Sequence, residues 1–226
     1  MSAIRLNKTS AKKGIDIHVP GSKSESNRAL IINALCPAPG KIANLAIARD
    51  TDTMQRLLAQ SDQTYDVLDA GTTMRFMTAY LSLRKSNVVI TGTERMQKRP
   101  IKVLVEALKT IGVEIEYRKE DGYPPLDIIG LKEQKTDKLV VSGNTSSQYI
   151  SALLMIAPAL PNGLVLEIKD GLVSKPYVEM TLSLMKHFGV DVEVSGNNFI
   201  VQNCQYSYQP FSVCLLYTSP SPRDAK

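Results

Sequence analysis

Hydrophobic and polar positions along this chain switch repeatedly between a two-residue and a helical period. Ile15, Ile17 and Val19 alternate with polar neighbours, and then Leu30, Ile31, Ala34 and Leu35 fall on one helical face. Val67-Leu68 leads into Met74, Met77 and Leu81, and Leu139-Val140-Val141 leads into Ile150, Leu153, Leu154 and Ala157. A second kind of segment also recurs: residues 98–117 read KRPIKVLVEALKTIGVEIEY and residues 175–194 read KPYVEMTLSLMKHFGVDVEV. Pro100 and Pro176 lie 76 residues apart, and Gly112 and Gly189 lie 77 apart. Each segment predicts a helix opened by a proline, whose missing N–H costs nothing there. Each is closed by a glycine suited to a left-handed cap. The apolar positions Leu104, Val105, Leu108, Ile111 and Tyr177, Met180, Leu184, Phe188 supply the buried faces. Strands are expected at 113–117, 126–129, 190–194 and 199–201.

The unit is therefore strand–helix–strand–helix–strand–strand, about 75 residues long and repeated up to three times. The first copy is short: after a helical segment around 54–58 the chain passes through Ser61-Asp62-Gln63-Thr64 into the next unit, without the closing strand pair. The fold class is α/β (α+β). The copies need a shared core, so residues 14–209 should form one domain. From Phe211 the chain reads FSVCLLYTSPSPRDAK, with two Ser-Pro steps and neither period. Residues 210–226 are expected to lie outside the fold, as a linker, a disordered end or translated vector sequence.

Composition narrows the function. Apolar residues are 43% and charged residues 22%, enough for a core. Lys and Arg exceed Asp and Glu by 27 to 22, and by 25 to 21 once residues 211–226 are set aside. The excess is dispersed, which suits pockets for small anions better than a nucleic-acid tract. Three cysteines without a CxxC pair and two histidines exclude a Cys/His zinc site. Sparse cysteine fits a reducing cytosol. Residues 1–13 lack the apolar core of a signal peptide, and no apolar run is long enough to span a membrane.

The candidate chemistry sits where strands turn into helices. Gly21-Ser22-Lys23-Ser24, Gly71-Thr72-Thr73 and Ser142-Gly143-Asn144-Thr145-Ser146-Ser147 each precede or open a helix. Helix N-termini present unpaired N–H groups and partial positive charge. Taken singly, each reads as an ordinary N-cap. Three at equivalent positions, with Lys23, Arg28, Arg75 and Arg99 nearby, favour a convergent anion site. Gly21-Ser22-Lys23-Ser24 lacks the upstream glycine of a Walker A loop, and Asp50-Thr51-Asp52 lacks the further ligands of a calcium loop. His18 is expected to be a strand residue and His187 a helix-end residue, both satisfied by their neighbours.

Five motifs, in order, carry a resemblance that runs from about Ile4 to Tyr208. They are Pro20-Gly21-Ser22-Lys23-Ser24-Glu25-Ser26-Asn27-Arg28, Asp69-Ala70-Gly71-Thr72-Thr73-Met74-Arg75, Glu94-Arg95-Met96-Gln97-Lys98-Arg99-Pro100, Ser146-Ser147-Gln148 and Val173-Ser174-Lys175-Pro176-Tyr177. The chain resembles the 5-enolpyruvylshikimate-3-phosphate synthase family. That family transfers the enolpyruvyl group of phosphoenolpyruvate to the 5-hydroxyl of shikimate 3-phosphate and releases phosphate, in the shikimate pathway to chorismate and the aromatic amino acids. The resemblance implies a lobe built as an inverse α/β barrel of βαβαββ units, one of two that close on substrate. It implies a cytoplasmic monomer acting on two small molecules, with no metal, cofactor, nucleic acid or membrane.

The resemblance also implies roles for particular residues. Lys23 would be catalytic and contact both substrates. Ser24, Arg28, Ser146, Ser147, Gln148, Ser174 and Tyr177 would hold shikimate 3-phosphate. Gly71, Arg99 and Gln148 would line the phosphoenolpyruvate site, with Arg75 and Arg95 as supporting charges. Asp69 and Phe76 depart from the residues usual in the family, Asn and Pro, at the border of that site. The family's second lobe, with which residues 1–13 would pair, is not represented, so the chain is expected to bind shikimate 3-phosphate weakly and not to turn over. Three alternatives remain. The related transferase acting on UDP-N-acetylglucosamine carries a Lys-Asn pair where Lys23-Ser24 stands. An RNA-binding module is poorly served by 6% aromatic residues and no Trp. A third is one half of a two-chain enzyme.

Overall fold

The computed structural model describes residues 19–84 and 87–214. The segment 1–13, the expected strand at 15–19 up to its last residue, and His18 therefore lie outside the described residues. Two complete units follow the pattern read from the sequence. The first comprises β2 (Thr64–Asp66), α3 (Gly71–Ser82), β3 (Val88–Thr91), α5 (Lys102–Ile111), β4 (Val113–Tyr117) and β5 (Leu126–Leu131). The other comprises β6 (Lys138–Ser142), α6 (Ser147–Ile156), β7 (Leu164–Lys169), α7 (Lys175–His187), β8 (Glu193–Ser195) and β9 (Asn198–Val201). Their sheets have the same order, β2-β3-β5-β4 and β6-β7-β9-β8, with the first pair parallel and the other two antiparallel. The opening unit contributes α1 (Lys23–Leu35), β1 (Ile42–Ala43) and α2 (Arg49–Ala59), and the chain then enters β2 without a closing strand pair.

Helices lie inside and sheets outside. In β5 every second residue, Leu126, Ile128 and Gly130, is buried, and β7 alternates in the same way. One face of each sheet therefore covers the helices. The first helices of the three units, α1, α3 and α6, pack against one another, and α3 and α6 are buried over nearly their whole length. Two hydroxyls in the body of α3 bond within the helix: Thr78 donates to Met74 O and Ser82 to Thr78 O, each at 2.7 Å. The second helices α2, α5 and α7 are amphipathic covers, and Leu104, Val105, Leu108 and Ile111 of α5 are fully buried. Each such side chain contributes about 1.5–3 kcal/mol.

Several boundaries differ from the sequence reading. Gly112 closes α5 in the left-handed region at φ 118°, as its position predicts, and Gly189 follows α7 at φ 85°. Pro176 stands in the first turn of α7, but Pro100 precedes α5, which starts at Lys102. A separate short helix, α4 (Glu94–Gln97), capped by Thr93, occupies the segment before Pro100. The expected strand at Val67-Leu68 is displaced to β2, because Leu68 takes a positive φ of 54° that ends the strand.

The largest correction concerns the tail. Residues 211–214 were expected outside the fold, yet Phe211–Ser212 form β10, parallel to β1. Val213 is 2% exposed, and the amide of Cys214 donates to the Glu25 carboxylate at 2.7 Å. The Phe211 ring packs against His187 and Phe188. In the other units the second strand meets an antiparallel partner, so β10 fills that place beside β1 with the opposite direction. A two-residue strand carries too little periodicity to be read from the sequence.

Candidate anion site at converging helix N-termini

Side-chain contacts tie four helix N-termini together. Lys23, the first residue of α1, places Nζ 3.3 Å from Oδ2 of Asp50 in the first turn of α2. The Asp50 carbonyl accepts a hydrogen bond from the Thr73 hydroxyl in the first turn of α3, at 3.1 Å. Thr72, its neighbour, accepts one from Nε2 of Gln148 at the start of α6, at 3.2 Å. The α1 and α6 ends are capped, by Ser22 and by Ser146, whose hydroxyl accepts from Gln148 N. The α3 end is not: Ala70 stands at its cap and offers no side-chain acceptor.

Arg99 lies over that uncapped end. A Cβ built on Gly71 would sit 2.2 Å from Nη1 of Arg99, so the guanidinium rests directly on the glycine. Arg75, 6% exposed, donates from Nη1 to Gly71 O at 2.7 Å and from Nη2 to Pro100 O at 3.2 Å. A cavity of about 330 Å³ opens beside this group, lined by Asp69, Arg95, Met96 and Arg99. Asp69 accepts a short hydrogen bond from Thr93. Burial lowers the affinity of Arg99 for its proton, the Arg75 charge lowers it further, and Asp50 opposes both.

Arg28 is placed differently from the others. It is 2% exposed, and its guanidinium donates to Thr181 Oγ1 (2.7 Å), Ser24 O (2.8 Å) and Ser151 Oγ (3.0 Å). The rings of Phe76 and Tyr177 face it at 5.3 and 5.7 Å. It thus joins α1, α3, α6 and α7 from beneath the surface. Burial pulls its pKa down to about 10. None of the carboxylates among the described residues forms an ion pair with Arg28, Arg75, Arg95 or Arg99, although Lys23 pairs with Asp50 and six further pairs occur elsewhere among those residues. Of the four, Arg28 and Arg75 are buried and Arg95 and Arg99 are exposed; a buried cation without a counter-charge is costly, and the four together make this end of the helices suited to external anions.

Of the residues singled out in the sequence, Lys23, Gly71, Arg75, Arg99 and Gln148 are linked by these contacts. Ser24, Arg28 and Tyr177 form a second group around the buried Arg28 guanidinium. Ser147 is buried at the first position of α6. Ser174 shares no side-chain hydrogen bond with the other candidates among the described residues. Its loop does run beside theirs, since Val173 N donates to Gly143 O at 3.3 Å and a Cβ on Gly143 would strike Gly171 O. Sequence reasoning missed Asp50, which it met only as a failed calcium loop, and Ser151, Thr181 and Tyr149. Their hydroxyls and carboxylate stand on helical faces whose periodicity does not mark them. Among the described residues no group of three His, Cys, Asp or Glu could hold a metal ion, and no helix is long and apolar enough to cross a membrane.

The fold and site together define an α/β lobe of repeated units that gathers uncompensated cations at converging helix N-termini. The chain belongs to the EPSP synthase (3-phosphoshikimate 1-carboxyvinyltransferase) family, whose model matches residues 7–62 and 55–213. A protein of Bacteroides fragilis named 3-phosphoshikimate 1-carboxyvinyltransferase is 48% identical over 198 residues, covering 87% of this chain and 48% of that protein. One of the same name from Actinobacillus succinogenes is 39% identical over 243 aligned positions, covering 93% of this chain and 56% of its own length. The solved EPSP synthase of Acinetobacter baumannii has the same fold, with a TM-score of 0.73 at 20% identity over 87% of this chain and 49% of that one. The chain spans about half the length of the curated relatives it matches.

Proposed function

We propose that this chain forms the shikimate 3-phosphate half of an enolpyruvyl-transfer site and one wall of the phosphoenolpyruvate site. The observation that carries this is the set of four arginines without carboxylate partners among the described residues, around linked helix ends. Both substrates carry a phosphate and a carboxylate, and a charge-assisted hydrogen bond to either contributes about 1.5–3 kcal/mol. Arg28 would meet the shikimate carboxylate with Ser24 and Tyr177 beside it. Its two remaining N–H donors, and its depressed proton affinity, favour a negative partner. Ser146, Ser147 and Ser174 would hold the 3-phosphate at the adjoining loops before α6 and α7, and Gln148 would lie between the substrates. Gly71 and Arg99, with Arg75 and Arg95 behind, would line the phosphoenolpyruvate pocket.

In the reaction, the 5-oxygen of shikimate 3-phosphate bonds to the enolpyruvyl carbon, whose bond to the phosphate oxygen breaks. The hydroxyl proton is passed on as phosphate leaves. Lys23, half-exposed and paired with Asp50 at the start of α2, would be the cation of this lobe that contacts both reacting groups. Residues 1–13 are read as the segment that pairs with a second lobe, and 14–209 as the lobe itself. The reading goes with a cytoplasmic monomer that takes small molecules and not nucleic acid.

Calorimetric titration of this chain with shikimate 3-phosphate tests the reading. Weak saturable binding is expected, with no phosphate release when phosphoenolpyruvate is added. Absence of binding at millimolar shikimate 3-phosphate would refute the substrate assignment, and turnover at the rate of full-length relatives would refute the division of the site between two lobes.

A further inference from the structure

We propose that Tyr149 is a positioning residue for Arg99, acting through the carbonyl of Pro100. This deepens the reading above and rests on it for the identity of the anion. The Tyr149 hydroxyl donates to Pro100 O at 2.7 Å, and Nη2 of Arg75 donates to the same oxygen at 3.2 Å. The Arg75 guanidinium also lies over the Tyr149 ring, 5.6 Å from its centre. Tyr149 therefore grips the Pro100 backbone directly and steadies the second group that grips it.

The grip matters because of what Pro100 lacks. Proline has no N–H, so its only backbone handle is the carbonyl. Its neighbours are tied elsewhere: Arg99 N donates to Met96 O at 3.0 Å and Ile101 N to Gly122 O at 2.9 Å. Among the described residues no other hydrogen bond joins the segment between α4 and α5 to α6. The Arg75 contact with that segment, at 3.2 Å, is the longer of the two. The Tyr149 ring, 8% exposed, packs as phenylalanine would, so the hydroxyl serves this contact and not the core.

The contact also connects two subsites. Tyr149 follows Ser146, Ser147 and Gln148, and Gln148 already bonds to Thr72 beside Gly71. The start of α6 thus touches the Arg99 subsite twice, once at Thr72 and once at Pro100. A rigid helix carrying the phosphate-binding serines sets the position of the arginine over Gly71.

Tyr149→Phe in the 226-residue chain tests this, with phosphoenolpyruvate and shikimate 3-phosphate as probes and the Arg99 Nε–H signal followed by NMR. The expected result is a shifted or broadened Arg99 signal in the ligand-free protein. The dissociation constant for phosphoenolpyruvate should rise threefold or more while that for shikimate 3-phosphate changes less than twofold. An unchanged Arg99 signal, or equal weakening of both ligands, overturns the inference even if the unfolding midpoint falls. If the unsubstituted chain binds neither ligand, the proposed function fails, and the ligand-free Arg99 signal still decides the role of Tyr149.

Discussion

The guanidinium of Arg99 stands on Gly71, in the space a Cβ would need: the built atom falls 2.2 Å from Nη1 and 2.6 Å from Cζ. What it would strike is the far end of a flexible side chain. Gly71→Ala should therefore move Arg99 without disturbing the helix. An alanine in the first turn stabilises the chain by about 0.4–1 kcal/mol through its unfolded state. The expected outcome is an unfolding midpoint in urea that holds or rises, together with a phosphoenolpyruvate affinity reduced about tenfold, the loss of one charge-assisted contact. A variant that loses stability but keeps its affinity would contradict the contact.

Arg28 separates binding from folding. Arg28 has no carboxylate partner among the described residues, so methionine there removes the desolvation cost of a buried charge together with three hydrogen bonds. Thr181 retains the Tyr177 carbonyl at 2.9 Å and the Ser151 hydroxyl at 2.8 Å without it. Because the two effects oppose one another, Arg28→Met is expected to cost no more than about 3 kcal/mol in chemical denaturation. Calorimetry should show shikimate 3-phosphate binding weakened at least about tenfold. A loss confined to stability would make Arg28 a purely structural bridge.

Asp50 pairs with Lys23 across a half-exposed gap of 3.3 Å and opposes the charge lowering at Arg99. Exposed pairs of this kind contribute about 0.2–1 kcal/mol. Asp50→Asn should leave stability within that range and strengthen phosphoenolpyruvate binding about two- to fivefold at low salt, since the anion no longer competes with a carboxylate. The difference should shrink at about 1 M salt, where screening acts over about 3 Å. Weaker binding in the variant would show instead that Asp50 orients Lys23.

The edge strand offers a test of stability alone. Val213 is buried, and Phe211 covers His187 and Phe188. Val213→Asp places an unpaired carboxylate there, at a cost expected to exceed about 3 kcal/mol. Urea unfolding would record it, and an unchanged midpoint would mean that β10 contributes nothing to the lobe.

The sequence alone was enough to establish the repeated unit, its helices and the glycines that stop them. Those features depend on local periodicity and on backbone conformations open to Gly112 and Gly189. The motifs around Lys23, Gly71 and Ser147 were legible for the same reason: each lies at the start of a helix that its own neighbours define. What only the tertiary structure decided is which groups meet. Arg28 reaches Thr181 across 153 positions, and Tyr149 reaches Pro100 across 49. The strand at Phe211 exists only because β1 leaves an edge for it. Partners so distant in the chain are selected by the packing of whole helices, and no short stretch of residues encodes that packing.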